Sequence, residues 1–170
     1  MEIVQAAALL HDAVDPEVGE TRQEHQHAAA SFAGRVLAAE GWPAEKIETV
    51  QHCIRSHRFR DPSEQPQTLE AQVLFDADKL DAIGATGVLR AIAYAVQDRQ
   101  DLYASPSERF LNSFEKEPGE PHTPYHEYLY KLRTLKDRMY TKSGRALAQA
   151  RHESMATFFE QLQAEVAGER

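Results

Sequence analysis

Ile3-Val-Gln-Ala-Ala-Ala-Leu-Leu-His-Asp12 is an apolar run that ends in an adjacent imidazole and carboxylate. Its alanines and leucines predict a buried helix from about Glu2 to Asp12. Charged groups at the end of a buried helix need partners, because burial without compensation is costly. An isolated His-Asp pair ordinarily faces solvent. At the end of this run, His11 and Asp12 instead become candidate ligands.

The same helical periodicity continues along the chain. Alanine, leucine, glutamate, glutamine and arginine dominate, and β-branched runs are absent. Pro16 and Gly19 mark a loop. A second helix is expected from about Gln23 to Glu40, closed by Gly41. A third starts near Pro43 and carries Ile47, Val50, Cys53 and Ile54 on one face as far as about Ser56. Residues Phe59 to Gln67 read as loop. Thr68 caps a fourth helix containing Leu69, Val73, Leu74 and Leu80. Gly84 and Gly87 bracket a kink or break, followed by a helix from Val88 to about Gln97. Four prolines and one glycine between Tyr103 and Pro124 predict a long excursion, a loop of the kind that is often a functional lid or else mobile. Helices from about Tyr125 to Met139 and from about Ser143 to Val166 complete the chain. The expected fold class is all-α, a helical bundle, in one domain spanning residues 1–170.

With 170 residues the chain can bury a sizeable core without metal or disulfide support. Its one cysteine, Cys53, excludes an internal disulfide and suits a reducing compartment. Nothing reads as a secretory signal, and no apolar run approaches the ~18–20 residues of a membrane span. A cytoplasmic, soluble protein without a membrane partner is expected. The net charge of −8 argues against a duplex nucleic-acid partner, which needs a basic surface. It leaves room for a small phosphate ester, since a few local cations can override the global field.

The second informative stretch is Asp76-Ala-Asp-Lys-Leu-Asp81, far downstream of Asp12. Val73, Leu74, Phe75 and Leu80 flank it, so part of this charge faces inward; Asp78 lies four residues after Leu74, on the same helix face. Carboxylates this close repel one another unless a cation sits among them. Lys79 supplies one positive charge, and a metal ion could supply more. A mixed imidazole and carboxylate set points to Mn, Fe, Mg or Zn.

Leu9-Leu-His-Asp12 followed by Asp76-Ala-Asp-Lys-Leu-Asp-Ala-Ile-Gly84 resembles the HD-domain metal-dependent phosphohydrolase superfamily, most closely its bacterial branch of predicted HD hydrolases. Val50-Gln-His-Cys-Ile-Arg-Ser-His57, Tyr130-Lys-Leu-Arg-Thr-Leu135 and Met139-Tyr-Thr141 extend the resemblance over nearly the whole chain. The resemblance implies an HD-type helical bundle that binds one divalent metal ion through His11, Asp12 and Asp78. Asp76 would lie behind the ligands. Asp15 would be an acidic residue near the attacking water. Lys79 would contact substrate phosphate, and His52 and His57 would bind phosphate or deliver a proton to the leaving group. His25 and His27 lie near the extra ligand positions of two-metal members but match them poorly. His122, His126 and His152 read as loop or surface residues. The family pattern also has a histidine on a helix before the doublet. None precedes His11 here, so the chain is expected to lack that N-terminal helix, through a late start, truncation or a degenerate site. Weaker metal binding and an exposed apolar patch that favours homo-oligomers would follow.

These features converge on a metal-dependent phosphohydrolase acting on a small phosphorylated molecule, a nucleotide first of all. Two alternatives stay open. One is nucleoside triphosphate pyrophosphohydrolysis, with the 103–124 excursion contributing to the pocket. The other is a non-catalytic helical module that binds a nucleotide or partner through a degenerate metal site.

Overall fold

A computed structural model describes residues 1–13, 25–58 and 64–169. Its described elements are α-helices and one 3-10 helix, so the fold class is all-α as expected. The chain divides into two compact units, residues 1–78 and 79–170.

The first unit contains α1 (Glu2–Leu10), α2 (His25–Ala39), α3 (Ala44–Arg55) and the greater part of α4 (Leu69–Asp81). α3 packs against both α1 and α2. α2 is suited to close packing because its buried face is Ala29, Ala30 and Ala33, followed by Leu37. Small side chains let Gln51 of α3 reach across and donate to the Ala30 carbonyl at 2.9 Å. Val50, Cys53 and Ile54 of α3, Ala7 of α1, and Ala71 and Leu74 of α4 complete the core. Burial, the largest influence, pushes the Cys53 thiol up to about 11, with the Glu70 charge adding to it. α2 ends where Gly41 takes a left-handed φ of +74°. The Trp42 N–H then reaches the Leu37 carbonyl at 3.0 Å and the Gly41 N–H reaches that of Ala38 at 3.1 Å, which satisfies the final carbonyls. Thr68 caps α4 as expected, accepting from the Ala71 N–H at 3.2 Å.

The second unit contains α5 (Gly84–Gln97), α6 (Glu108–Ser113), α7 (Pro124–Tyr130), a 3-10 helix (Leu132–Arg138) and α8 (Lys142–Val166). α8 packs on α5 and on the 3-10 helix. Tyr128 stacks on Phe159 with ring centroids 4.5 Å apart. Two expectations need correction. The helix anticipated from Tyr125 to Met139 is broken at Lys131 into α7 and the 3-10 turn. The 103–124 excursion is not irregular throughout, because it contains α6, capped by the Ser107 hydroxyl.

That excursion is stapled by one carboxylate. Glu120 accepts from the Ser107 N–H at 2.7 Å and the Ser107 hydroxyl at 2.8 Å. It also accepts from the Glu117 N–H at 2.7 Å and from His126 Nε2–H at 3.2 Å. The Ser107 N–H is the largest cause that draws the Glu120 carboxyl down to about 2, against the opposing effect of burial. His126 is fully buried rather than the surface residue its proline-rich surroundings suggested. Burial lowers its pKa more than Glu120 raises it, so the ring is neutral. On α7, burial pushes Glu127 up, but the hydrogen bond from His122 and the charge of Lys131 outweigh this and hold it at about 2. A depressed folded pKa stabilises fully above the unfolded value and loses that contribution as pH falls through the folded one. Acid is therefore expected to weaken the second unit between about pH 4.5 and 2, and Glu120→Gln should flatten that limb in denaturant midpoints measured across the window.

Candidate functional site

α1 ends at Leu10 and places His11 and Asp12 in the turn that follows. His11 Nδ1 lies 2.8 Å from the Ala8 carbonyl. A carbonyl only accepts, so Nδ1 carries the proton and the Nε2 of neutral His11 presents a lone pair. That Nε2 lies 3.4 Å from Asp12 Oδ2. A lone pair facing a carboxylate oxygen is repulsive unless a cation joins them, either a proton on the imidazole or a metal ion. Histidine ligands ordinarily donate their second N–H to a carbonyl or carboxylate, as His11 does here.

The opposite oxygen of Asp12 meets a second imidazole. His25, the first residue of α2, brings Nε2 to within 3.1 Å of Asp12 Oδ1. Its Nδ1 is buried without a hydrogen-bond partner among the described residues. A third imidazole comes from the end of α3. His57 is buried, with Nδ1 donating to the Ile54 carbonyl, and its ring packs edge-on against His11 with centroids 5.2 Å apart. The first unit thus gathers His11, Asp12, His25 and His57. The sequence nominated His11 and Asp12 as ligands and matched His25 only poorly. Its link to Asp12 spans thirteen positions, and no local pattern sets that distance.

The other described candidates lie on α2, α3 and α4. Asp76 is buried on α4 and Asp78 partly so; both are engaged by partners within the protein. Lys79 is 6 % exposed and also engaged, on the same helix face as Asp76 three residues before it. Its burial and its engagement within the protein set it apart from a solvent-facing phosphate contact. His52 differs from the expectation more sharply. Its Nδ1 lies 2.6 Å from Glu64 and its Nε2 accepts from the Gln67 N–H at 3.2 Å, so neither ring nitrogen is left for phosphate. Arg55 donates to the same Glu64, which makes His52 part of a brace between α3 and the residues ahead of α4. His27 is exposed on α2. Asp15 lies outside the described residues.

The donor set around Asp12 fits a divalent ion in chemistry: imidazole nitrogens with fixed tautomers and a carboxylate that needs a cation. Among the described residues, no three His, Cys, Asp or Glu side chains already close into a metal cage. No described helix is long and apolar enough to cross a membrane.

The HD domain family profile matches residues 1–83, which takes in the first unit and the whole of α4. The chain is 32% identical over 169 residues to YpgQ of Bacillus subtilis, covering 98% of this chain and 73% of that protein. The crystal structure of YpgQ in complex with ADP superposes with a TM-score of 0.72, over 98% of this chain and 78% of that one. An HD-superfamily hydrolase from Bacillus thuringiensis is 27% identical with a TM-score of 0.69, over 97% and 73% of the two chains. In both sequence and fold, the chain belongs to the HD-domain phosphohydrolase superfamily.

Proposed function

We propose that this protein is a metal-dependent phosphohydrolase that acts on a small phosphorylated nucleotide. The observation that carries this reading is the lone-pair face of His11 Nε2 set 3.4 Å from the Asp12 carboxylate. His11, Asp12 and Asp78 would hold the ion, with His25 at the second oxygen of Asp12. The chemistry a divalent ion supplies when bound there is polarisation of a phosphoryl oxygen and acidification of water. His57, oriented by the Ile54 carbonyl, would exchange a proton with the leaving oxygen through Nε2. Asp15, three residues after Asp12, would orient the attacking water. The ADP complex of YpgQ supports a nucleotide as the substrate class.

The test is phosphate or pyrophosphate release from nucleoside mono-, di- and triphosphates with Mn2+, before and after chelation. Turnover is expected to disappear on chelation and to fall at least about 100-fold in Asp78→Ala with the helical content unchanged. Release of pyrophosphate from triphosphates alone would favour the pyrophosphohydrolase alternative. A second reading, a binding module without catalysis, draws support from the open arrangement of the described donors. Nucleotide binding without divalent-dependent turnover of any nucleotide would establish the module and sink the enzyme.

A further inference from the structure

Arg58 follows His57 at the end of α3, and its Nη1 donates to Gln26 Oε1 at 3.1 Å. Gln26 follows His25 and is fully buried. This one hydrogen bond therefore ties together the two chain points that bring imidazoles to Asp12 and His11. The partner is also unusual in kind. In the same unit Arg55 is neutralised by Glu48 and Glu64, and Lys46 by Glu2. Arg58 is held by a neutral amide, and no carboxylate meets it among the described residues. Arg35 also meets no carboxylate among the described residues, but it stacks on Phe32 and lies ten residues along α2 from His25, about 15 Å at the helical rise.

We propose that Arg58, positioned by Gln26, is the cation that binds substrate phosphate at this site. The inference rests on the phosphohydrolase reading above and adds a residue to it. Charge supports the assignment. A divalent ion between the carboxylates of Asp12 and Asp78 leaves the site close to neutral, whereas a phosphate ester arrives with negative charge. Lys79 is buried and engaged, so it does not supply the balance. A guanidinium presents five N–H donors in a plane that matches two phosphate oxygens, and holding one donor on Gln26 fixes the direction of the others. A neutral anchor orients the group without cancelling its charge.

ADP is titrated calorimetrically into the Mn-loaded full chain, with bound Mn measured on the same samples. Arg58→Met is expected to raise the ADP Kd about 10- to 100-fold, the range of one lost charge-assisted contact, while bound Mn stays at the wild-type level. Gln26→Glu, which keeps the shape but places a carboxylate on the guanidinium, should produce a similar rise, and Arg58→Lys should fall between. If both Arg58→Met and Gln26→Glu fold, keep their Mn and bind ADP as the wild type does, the Arg58 assignment is overturned and the metal site stands. A wild-type chain that takes up no Mn and binds no ADP overturns the phosphohydrolase reading, and this inference with it.

Discussion

On the reading proposed above, Asp12→Asn is expected to leave the chain folded and to abolish its uptake of a divalent ion. The carboxylate is exposed, and it touches His11 on one oxygen and His25 on the other. The amide retains the shape but not the charge that draws a cation to the His11 lone pair. Metal affinity should fall by at least about 100-fold, beyond what losing an outer partner of a ligand costs. Nucleotide turnover should fall with it. Stability of the metal-free protein should stay within about 0.5 kcal/mol, as for other exposed substitutions. The substitution also removes the repulsion between the carboxylate and the His11 lone pair, so the metal-free stability has no reason to drop. Metal content per chain by atomic emission, read beside thermal melts with and without Mn2+, checks both halves. An Asp12→Asn protein that purifies with a full complement of ion would show that the doublet is not the metal site.

Gly87→Ala should be the most destabilising small substitution in the second unit. An added Cβ at position 87 would lie 2.3 Å from the Ala82 carbonyl oxygen and 3.0 Å from the Met155 Cε. The first neighbour is backbone, so α5 or the turn before it must move, and Met155 is fully buried in α8. Overpacking of this kind costs about 3 kcal/mol, well beyond the helix propensity gained by replacing glycine. Gly34→Ala is the informative contrast. Its Cβ would meet the Gln51 amide nitrogen at 2.5 Å, but that is the end of a flexible side chain. Gln51 can swing away and give up its bond to the Ala30 carbonyl, a loss of about 1 kcal/mol that the better helix propensity offsets. Guanidinium midpoints of the two variants should therefore separate clearly, with Gly34→Ala near wild type.

Local chemistry is what the sequence conveyed well. Gly41 and Thr68 close and open helices because each motif is complete within a few residues. Ser107 carries the same kind of information, yet α6 was hidden by Pro106, Pro118, Pro121 and Pro124, whose summed preference for irregular chain outweighs a single cap. The site shows the same division. His11 and Asp12 stand out because they end an apolar run, although the burial expected of that run is borne out at Ala7 alone and Leu9 is exposed. His52 and His57 sit five positions apart in similar surroundings, and only tertiary contacts separate them: Glu64 and Gln67 occupy the former, while the latter packs against His11. His126 reads as a surface residue because burial of an imidazole depends on Glu120 and Thr123 arriving around it.

Cys53 gives the first unit a built-in reporter. It is the chain's one thiol, wholly buried, with its ionisation pushed up to about 11. The thiolate is the form that attacks thiol reagents, so the native protein should react only during excursions that bring α1, α2 and α3 apart. The labelling rate then reads the free energy of opening around Cys53 in the first unit. Mn2+ and a nucleotide that bind the closed form should slow labelling by the factor that mass action sets, which turns one sulfur atom into a binding assay that needs no knowledge of the reaction.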